Sequence, residues 1–186
     1  MLRLVAAVCL GLAPGLACAA PWRLSTETQV TVDIPWRGSD VKVRFSDLQG
    51  EVDFDEAAPE TARARIEVPA ASAETGVGVV NALVRGAGYL DAAEYPTISF
   101  QLDRLTRLSK SEARVDGRLT LRGVTRPMTL AAKVFRYGPV SGDPQRFEAG
   151  FDLSGTIDRT DFGSTGGLPD VPADLDLRIR LVMSSQ

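Results

Sequence analysis

From Val30 onward the chain alternates apolar and polar residues with a period of two. Val30, Val32 and Ile34 are separated by Thr31 and Asp33, and Val41, Val43 and Phe45 by Lys42 and Arg44. Ala64, Ile66 and Val68 enclose Arg65 and Glu67 before Pro69 ends the run. The same spacing returns in Ile98, Phe100, Leu102, in Val115, Gly117, Leu119, Leu121, in Phe151, Leu153, Gly155, and in Leu175, Leu177, Ile179, Leu181. Successive side chains of a strand point to opposite faces, so each run has one dry face and one wet face. Ser46–Gly50 predicts a hairpin, Arg122–Pro127 a turn between Leu121 and Met128, and Gly138–Pro144 a further connection. About eight or nine strands follow, antiparallel because their links are short.

One stretch breaks the rhythm. Val77, Val80, Leu83 and Val84 fall at helical spacing, with Thr75 placed to cap the start and Gly86 and Gly88 to end it. One or two short helices over an end of the sheet are expected. A sheet of this size, apolar on one face, either packs on a second sheet or closes on itself into a barrel, and periodicity does not choose between the two.

Composition narrows the chemistry. The chain has 186 residues, 44% hydrophobic and 24% charged, with 21 Lys and Arg against 24 Asp and Glu. A net charge of −3 gives no basic surface for a nucleic-acid backbone. There is no histidine, which removes the Ser-His-Asp triad, Cys-His pairs and His-ligated zinc. Arg3 followed by an apolar run to Leu16 and the small-residue Ala17-Cys18-Ala19 predicts a cleaved secretory signal over residues 1–19, too short to span a membrane. Residues 20–186 then form one exported, periplasmic or secreted domain carrying 20 basic and 24 acidic groups. Both cysteines, Cys9 and Cys18, fall in the leader, so the mature domain holds no disulfide; lipidation at Cys18 is the competing reading of that segment.

Other motifs have ordinary structural readings. Gly76-Val77-Gly78 and Gly86-Ala87-Gly88 lack the spacing of phosphate loops and read as helix ends. Asp158 and Asp161 around Arg159 form an Asp-rich turn paired with the arginine, or the acid and base of a carboxylate-dependent hydrolase acting on lipid or sugar. Trp22, Trp36, Tyr89 and Tyr95 read as packing or ligand-mouth aromatics, and Arg118, Arg122 and Arg126 as a solvated strand face or a headgroup contact.

Five strings carry a family resemblance: GEVDFD (50–55), ETG (74–76), EYPTISF (94–100), GRLTLRGVTRPMTL (117–130) and IDRTDFGS (157–164). In this order, behind an export signal, they resemble the YceI-like family of exported lipid-binding proteins over approximately Trp22 to Met183. The resemblance implies an all-β, antiparallel, lipocalin-like eight-stranded barrel around a long apolar cavity. It also implies a polyisoprenoid, isoprenoid-quinone-like or other long-chain amphiphile as ligand, no catalytic residue, no metal and no cofactor beyond that lipid. Many members carry histidines in the first strands, whereas this chain has Asp33-Ile34-Pro35-Trp36 there. Alternation then gives the lining candidates: Phe45, Phe54, Ile66, Val68, Ile98, Phe100, Leu102, Leu119, Leu121, Leu130, Val134, Phe151, Leu153, Ile179 and Leu181. Arg126 and Tyr95 are placed to orient a polar head. A β-sandwich interaction module without ligand stands as the alternative, and transient membrane contact and homodimer formation stay open.

Overall fold

Alternating residues need a second wall for their dry side, and the chain supplies it by curling. A computed structural model describes residues 22–185, so the leader, its two cysteines and the residues up to Pro21 lie outside the described part. The strands are β1 (Trp22–Leu24), β2 (Gln29–Trp36), β3 (Ser39–Phe45), β4 (Gln49–Asp53), β5 (Arg63–Pro69), β6 (Thr97–Arg107), β7 (Glu112–Leu121), β8 (Val124–Val140), β9 (Asp143–Asp158) and β10 (Asp174–Ser185). Among the described residues one α-helix, α1 (Gly78–Arg85), interrupts them, with short 3-10 helices at Pro59–Thr61, Ala70–Ser72 and Arg159–Phe162. All ladders are antiparallel.

The ring runs β1-β4-β5-β6-β7-β8-β9-β10 and returns to β1, giving an eight-stranded closed barrel. Closure rests on a division of β10. Asp176–Arg180 pair with β2, while Met183–Ser185 pair with β1. At the changeover the buried Thr28 Oγ1 donates to the Val182 carbonyl at 2.8 Å and accepts from the Val182 N–H at 3.1 Å. Ser25 N–H donates to the same carbonyl at 2.8 Å. Both backbone groups of Val182 are thereby paired where the two partners part.

The β2–β3 hairpin completes the wall at the other end, joined onward by the Arg44–Glu74 bridge. This corrects the expected Ser46–Gly50 hairpin. β3 pairs with β2, and β4 pairs with β1 and β5, so residues 46–48 carry the chain across the barrel wall between strands that are not partners. Gly50 is required there, since a Cβ would stand 2.2 Å from the Arg65 carbonyl oxygen. Two other turns are tighter than their sequences imply. Only Arg122 and Gly123, both at positive φ, separate β7 from β8, as a type I′ turn whose twist matches the strands. Pro127 lies within β8 opposite Arg118. Ser141-Gly142 alone turns β8 into β9, and the register shift at Pro139/Val140 absorbs the proline inside the long hairpin.

The helix also starts differently from the expected Thr75 cap. Val77 is the N-cap and has no side-chain bond. Asn81, within α1, reaches back instead: its Oδ1 accepts from Thr75 N–H and Oγ1, each at 2.7 Å, and its Nδ2 donates to Glu74 at 2.7 Å. Inward-facing Val84 docks α1 on Ile34, Val43, Val171 and Leu175, closing one end of the barrel.

Outward positions carry charge in cross-strand pairs, Arg118 with Asp103, Arg180 with Asp152 and Arg178 with Asp33. This is the inverse of a membrane-spanning barrel, whose outer band is apolar. A test of the closure follows. Thr28→Val keeps the shape but removes both bonds at Val182, and should lower stability by about 1–3 kcal/mol, read as a lower urea midpoint at unchanged slope.

Candidate functional site: an apolar tunnel with one open end

Mid-barrel, the inward side chains do not meet. Val30, Val32, Ile66, Phe100, Leu153 and Ile179 all point inward, yet each is only partly buried, because its inner surface borders empty space. The hollow has a volume of about 380 Å³, within the range of roughly 300–1,000 Å³ of small-molecule sites. All fifteen alternation candidates border it: Phe45, Phe54, Ile66, Val68, Ile98, Phe100, Leu102, Leu119, Leu121, Leu130, Val134, Phe151, Leu153, Ile179 and Leu181. A solid sandwich interior is therefore excluded. Leu130 differs from the rest in being fully buried, and it doubles as core with Val115, Met128 and Leu177.

Gly117 shapes the middle of the tunnel. It faces inward, and a Cβ there would lie 2.4 Å from the Phe100 ring. The missing side chain lets Phe100 fold down on β7 and leave the bore open. At one side of the bore Phe54 packs edge-on to Trp22 and Phe151, with ring centroids 6.1 and 5.6 Å away. Trp22 is buried and donates its indole N–H to the Phe54 carbonyl at 2.8 Å, so it is a packing residue. Trp36, 46% exposed at the tip of β2, lies outside the lining.

The two ends are unlike. At the closed end the lining residues Val84, Arg159, Ser164 and Val171 are all buried. Arg159 is the staple: Nε donates to Pro172 O at 2.8 Å, Nη1 to Ser164 O at 3.0 Å and Nη2 to Val171 O at 2.8 Å. Its guanidinium also lies over the Tyr89 ring, 5.7 Å from the centroid. Burial pushes the Arg159 pKa down, with Tyr89 and Asp158 working against that shift. The expected pairing of Arg159 with the flanking aspartates is thus replaced by backbone carbonyls. Asp158 caps the 3-10 helix by accepting from Thr160 N–H at 2.8 Å and from the Thr160 hydroxyl, and these bonds hold its carboxyl below the usual range. Asp161 is exposed on the outside. Neither aspartate borders the hollow, so they are not placed as an acid and base for a bound molecule.

The open end is where the exposed lining residues gather: Glu56, Arg63, Arg107, Ser109, Lys110, Glu112 and Tyr137. Arg107 Nη2 reaches across the rim to the Glu56 carbonyl at 2.8 Å. Burial, with the negative charge and hydrogen bonding of Glu56, raises the Tyr137 pKa. The residues expected to meet a polar head lie elsewhere. Tyr95 packs under Arg122 at the β7–β8 turn, with the guanidinium 5.7 Å from its ring centroid, and Arg126 is exposed on β8 outside the lining. Arg118 forks onto Asp103 at 2.9–3.1 Å. Arg122 donates to Ala87 O and Tyr89 O, tying down the chain that follows α1. The rim residues escape period-two reading because they sit in turns and at strand ends. The closing residues Tyr89, Leu90 and Val171 lie in non-repeating chain.

Comparison with known proteins agrees with this architecture. A family model described as YceI-like domain matches residues 22–183. A UPF0312 protein of Pseudomonas savastanoi pv. phaseolicola is 32% identical over 183 residues, covering 93% of each chain. Among solved structures, Burkholderia cenocepacia BcnA superposes with a TM-score of 0.76 at 21% identity, covering 86% of this chain and 98% of that one. A polyisoprenoid binding domain from Saccharophagus degradans superposes with a TM-score of 0.66 at 15% identity, covering 89% and 98%.

Two measurements probe the closed end. Arg159→Met leaves two buried carbonyls and one partly buried carbonyl without their donor and should cost about 3 kcal/mol or more in urea unfolding. Arg159→Lys should recover only part of that, since one ammonium cannot span the three directions. Asp158, with its folded pKa depressed, contributes stability that is present above the usual carboxylate range and lost as pH falls through the depressed value. The urea midpoint of Asp158→Asn should accordingly fall less steeply in acid than that of the unaltered protein.

Proposed function

The chain belongs to the YceI-like family, and from that premise we propose that it is an exported, periplasmic carrier or reservoir for a long-chain lipid, polyisoprenoid or isoprenoid-quinone-like, held in the barrel. The observation that carries this reading is the continuous apolar hollow, closed at α1 and open between the hairpins. The polyisoprenoid binding domain of Saccharophagus degradans, built on the same fold, supports the ligand class. The leader read over residues 1–19 supports the compartment.

The physical task is to keep a hydrocarbon chain out of water. Each methylene moved into an apolar lining contributes about 0.8 kcal/mol, so about twenty buried carbons give about 16 kcal/mol gross. Net affinities saturate near 18–21 kcal/mol, roughly the same scale, and ordering the flexible chain offsets much of the gross term. Bore length and shape then decide what fits. Phe100 over Gly117 sets the waist of the tunnel, and among the described lining residues the buried polar ones are Arg159 and Ser164, at the closed end. A tail directed inward with its head at the charged rim is the orientation this arrangement favours.

Organic-solvent extraction of the natively purified protein, followed by mass spectrometry, should recover a long-chain lipid at about one per barrel. Repeatedly empty extracts would count against the carrier reading. Phe100→Asp or Leu121→Asp places a carboxylate in the bore and should abolish retention of that lipid, while far-ultraviolet circular dichroism still reports strand. A folded variant that keeps its lipid removes the residue from the binding surface.

A further inference from the structure

Three large apolar side chains stand on the two hairpins that overhang the open end: Leu108, Tyr137 and Phe147, at 64%, 38% and 36% exposure. Leu108 occupies the β6–β7 turn, two residues before Lys110 on the rim. Tyr137 and Phe147 lie on β8 and β9 with ring centroids 5.9 Å apart, and Tyr137 also borders the hollow. Their apolar surface is therefore continuous with the tunnel lining. At the rim Glu56 and Glu112 stand against Arg63, Arg107 and Lys110, a net charge of only +1. Lys110 and Arg146, which flank these apolar groups in sequence, have no ion-pair partner among the described residues.

We propose that this end docks on a phospholipid bilayer. Leu108 and Phe147 enter the acyl boundary and Tyr137 sits at headgroup depth, while Lys110 and Arg146 extend to the phosphates. The occupant follows from continuity: at this face an apolar chain passes between bilayer and bore without crossing water. A second exposed apolar group, including Trp36, Val79 and Leu83, lies at the closed end. A bilayer there would meet a wall, because the lining behind it is buried. With so small a net rim charge, apolar insertion is the main attachment, so binding should depend only weakly on salt. The proposal rests on the carrier reading above.

The test uses the full mature protein and phosphatidylcholine vesicles whose acyl chains are brominated, which quenches nearby indoles. In the double variant Trp36→Phe/Leu108→Trp, emission above the constant background of buried Trp22 should be quenched on adding vesicles; in the unaltered protein, Trp36 emission should not. Leu108→Asp/Phe147→Asp should lower the vesicle-bound fraction in flotation about tenfold, with the lipid content of solvent extracts unchanged. Quenching of Trp36 in place of the introduced indole would overturn the proposal in favour of the closed end. Absence of flotation by a protein whose extracts contain lipid would overturn docking and leave the carrier reading standing. A dimer dissociated by Leu108→Asp, without flotation, would assign the patch to a second copy and equally overturn it. Empty extracts together with quenching at position 108 would sink the carrier reading while supporting the bilayer contact.

Discussion

One edge of β10 serves two strands, and the fold depends on how that edge is satisfied. β2 takes Asp176–Arg180 and β1 takes Met183–Ser185, and the side chain of Thr28 supplies the missing donor and acceptor at Val182 between them. A sheet that failed here would present a bare edge and an unfilled apolar face together. With the edge satisfied, the same eight strands enclose a volume whose lining is fixed by which way each residue points.

Enclosure without filling requires that the ends carry the packing. The core is split accordingly. One cluster, around Val43, Phe45, Val84 and Val171, fixes α1 and the β2–β3 hairpin over the closed end. Another, around Val115, Leu130 and Phe162, braces β7, β8 and β10 along the wall. A smaller one joins Trp22, Val52, Ala149 and Met183 where β1 seals the ring. Between them the bore stays open because small residues stand where large ones would fill it, Gly117 under Phe100 being the clearest case. Polar groups are confined to the margins. Arg159 is buried but spends its donors on backbone carbonyls, and the remaining charges stand at the rim in water. Such a division suits a tail-first ligand and a head that stays hydrated.

How much could be read in advance differed by kind of residue. The wall could: period-two alternation identified Phe45, Ile66, Phe100, Leu121 and Ile179 as inward, because a one-residue slip would reverse both faces at once. The ends could not. Tyr89, Val171, Arg107 and Tyr137 lie in turns, strand ends or a bulged arm, where no period assigns a direction. Tyr95 and Arg126 sit close in sequence to lining strands, yet both lie outside the bore: Tyr95 packs against Arg122 and Gly123 of the β7–β8 turn, and Arg126 is exposed on β8. The Ser46–Gly50 connection had hairpin composition, yet ladder choice is a long-range property, and β4 found β1 and β5 in place of β3.

Local chemistry in the chain therefore determined an antiparallel all-β protein with a dry face along its strands and a short helical stretch near residues 77–84. Lacking histidine, it also ruled out by composition the catalytic pairs that depend on that residue. Those properties are written in the spacing and identity of neighbours, which strand geometry converts directly into faces. Tertiary structure alone decided that the dry faces enclose a hollow, which end of it opens, and that Arg159 staples the other. Each of these depends on distances between residues far apart in the chain, such as Thr28 and Val182 or Phe100 and Gly117, which alternation does not encode.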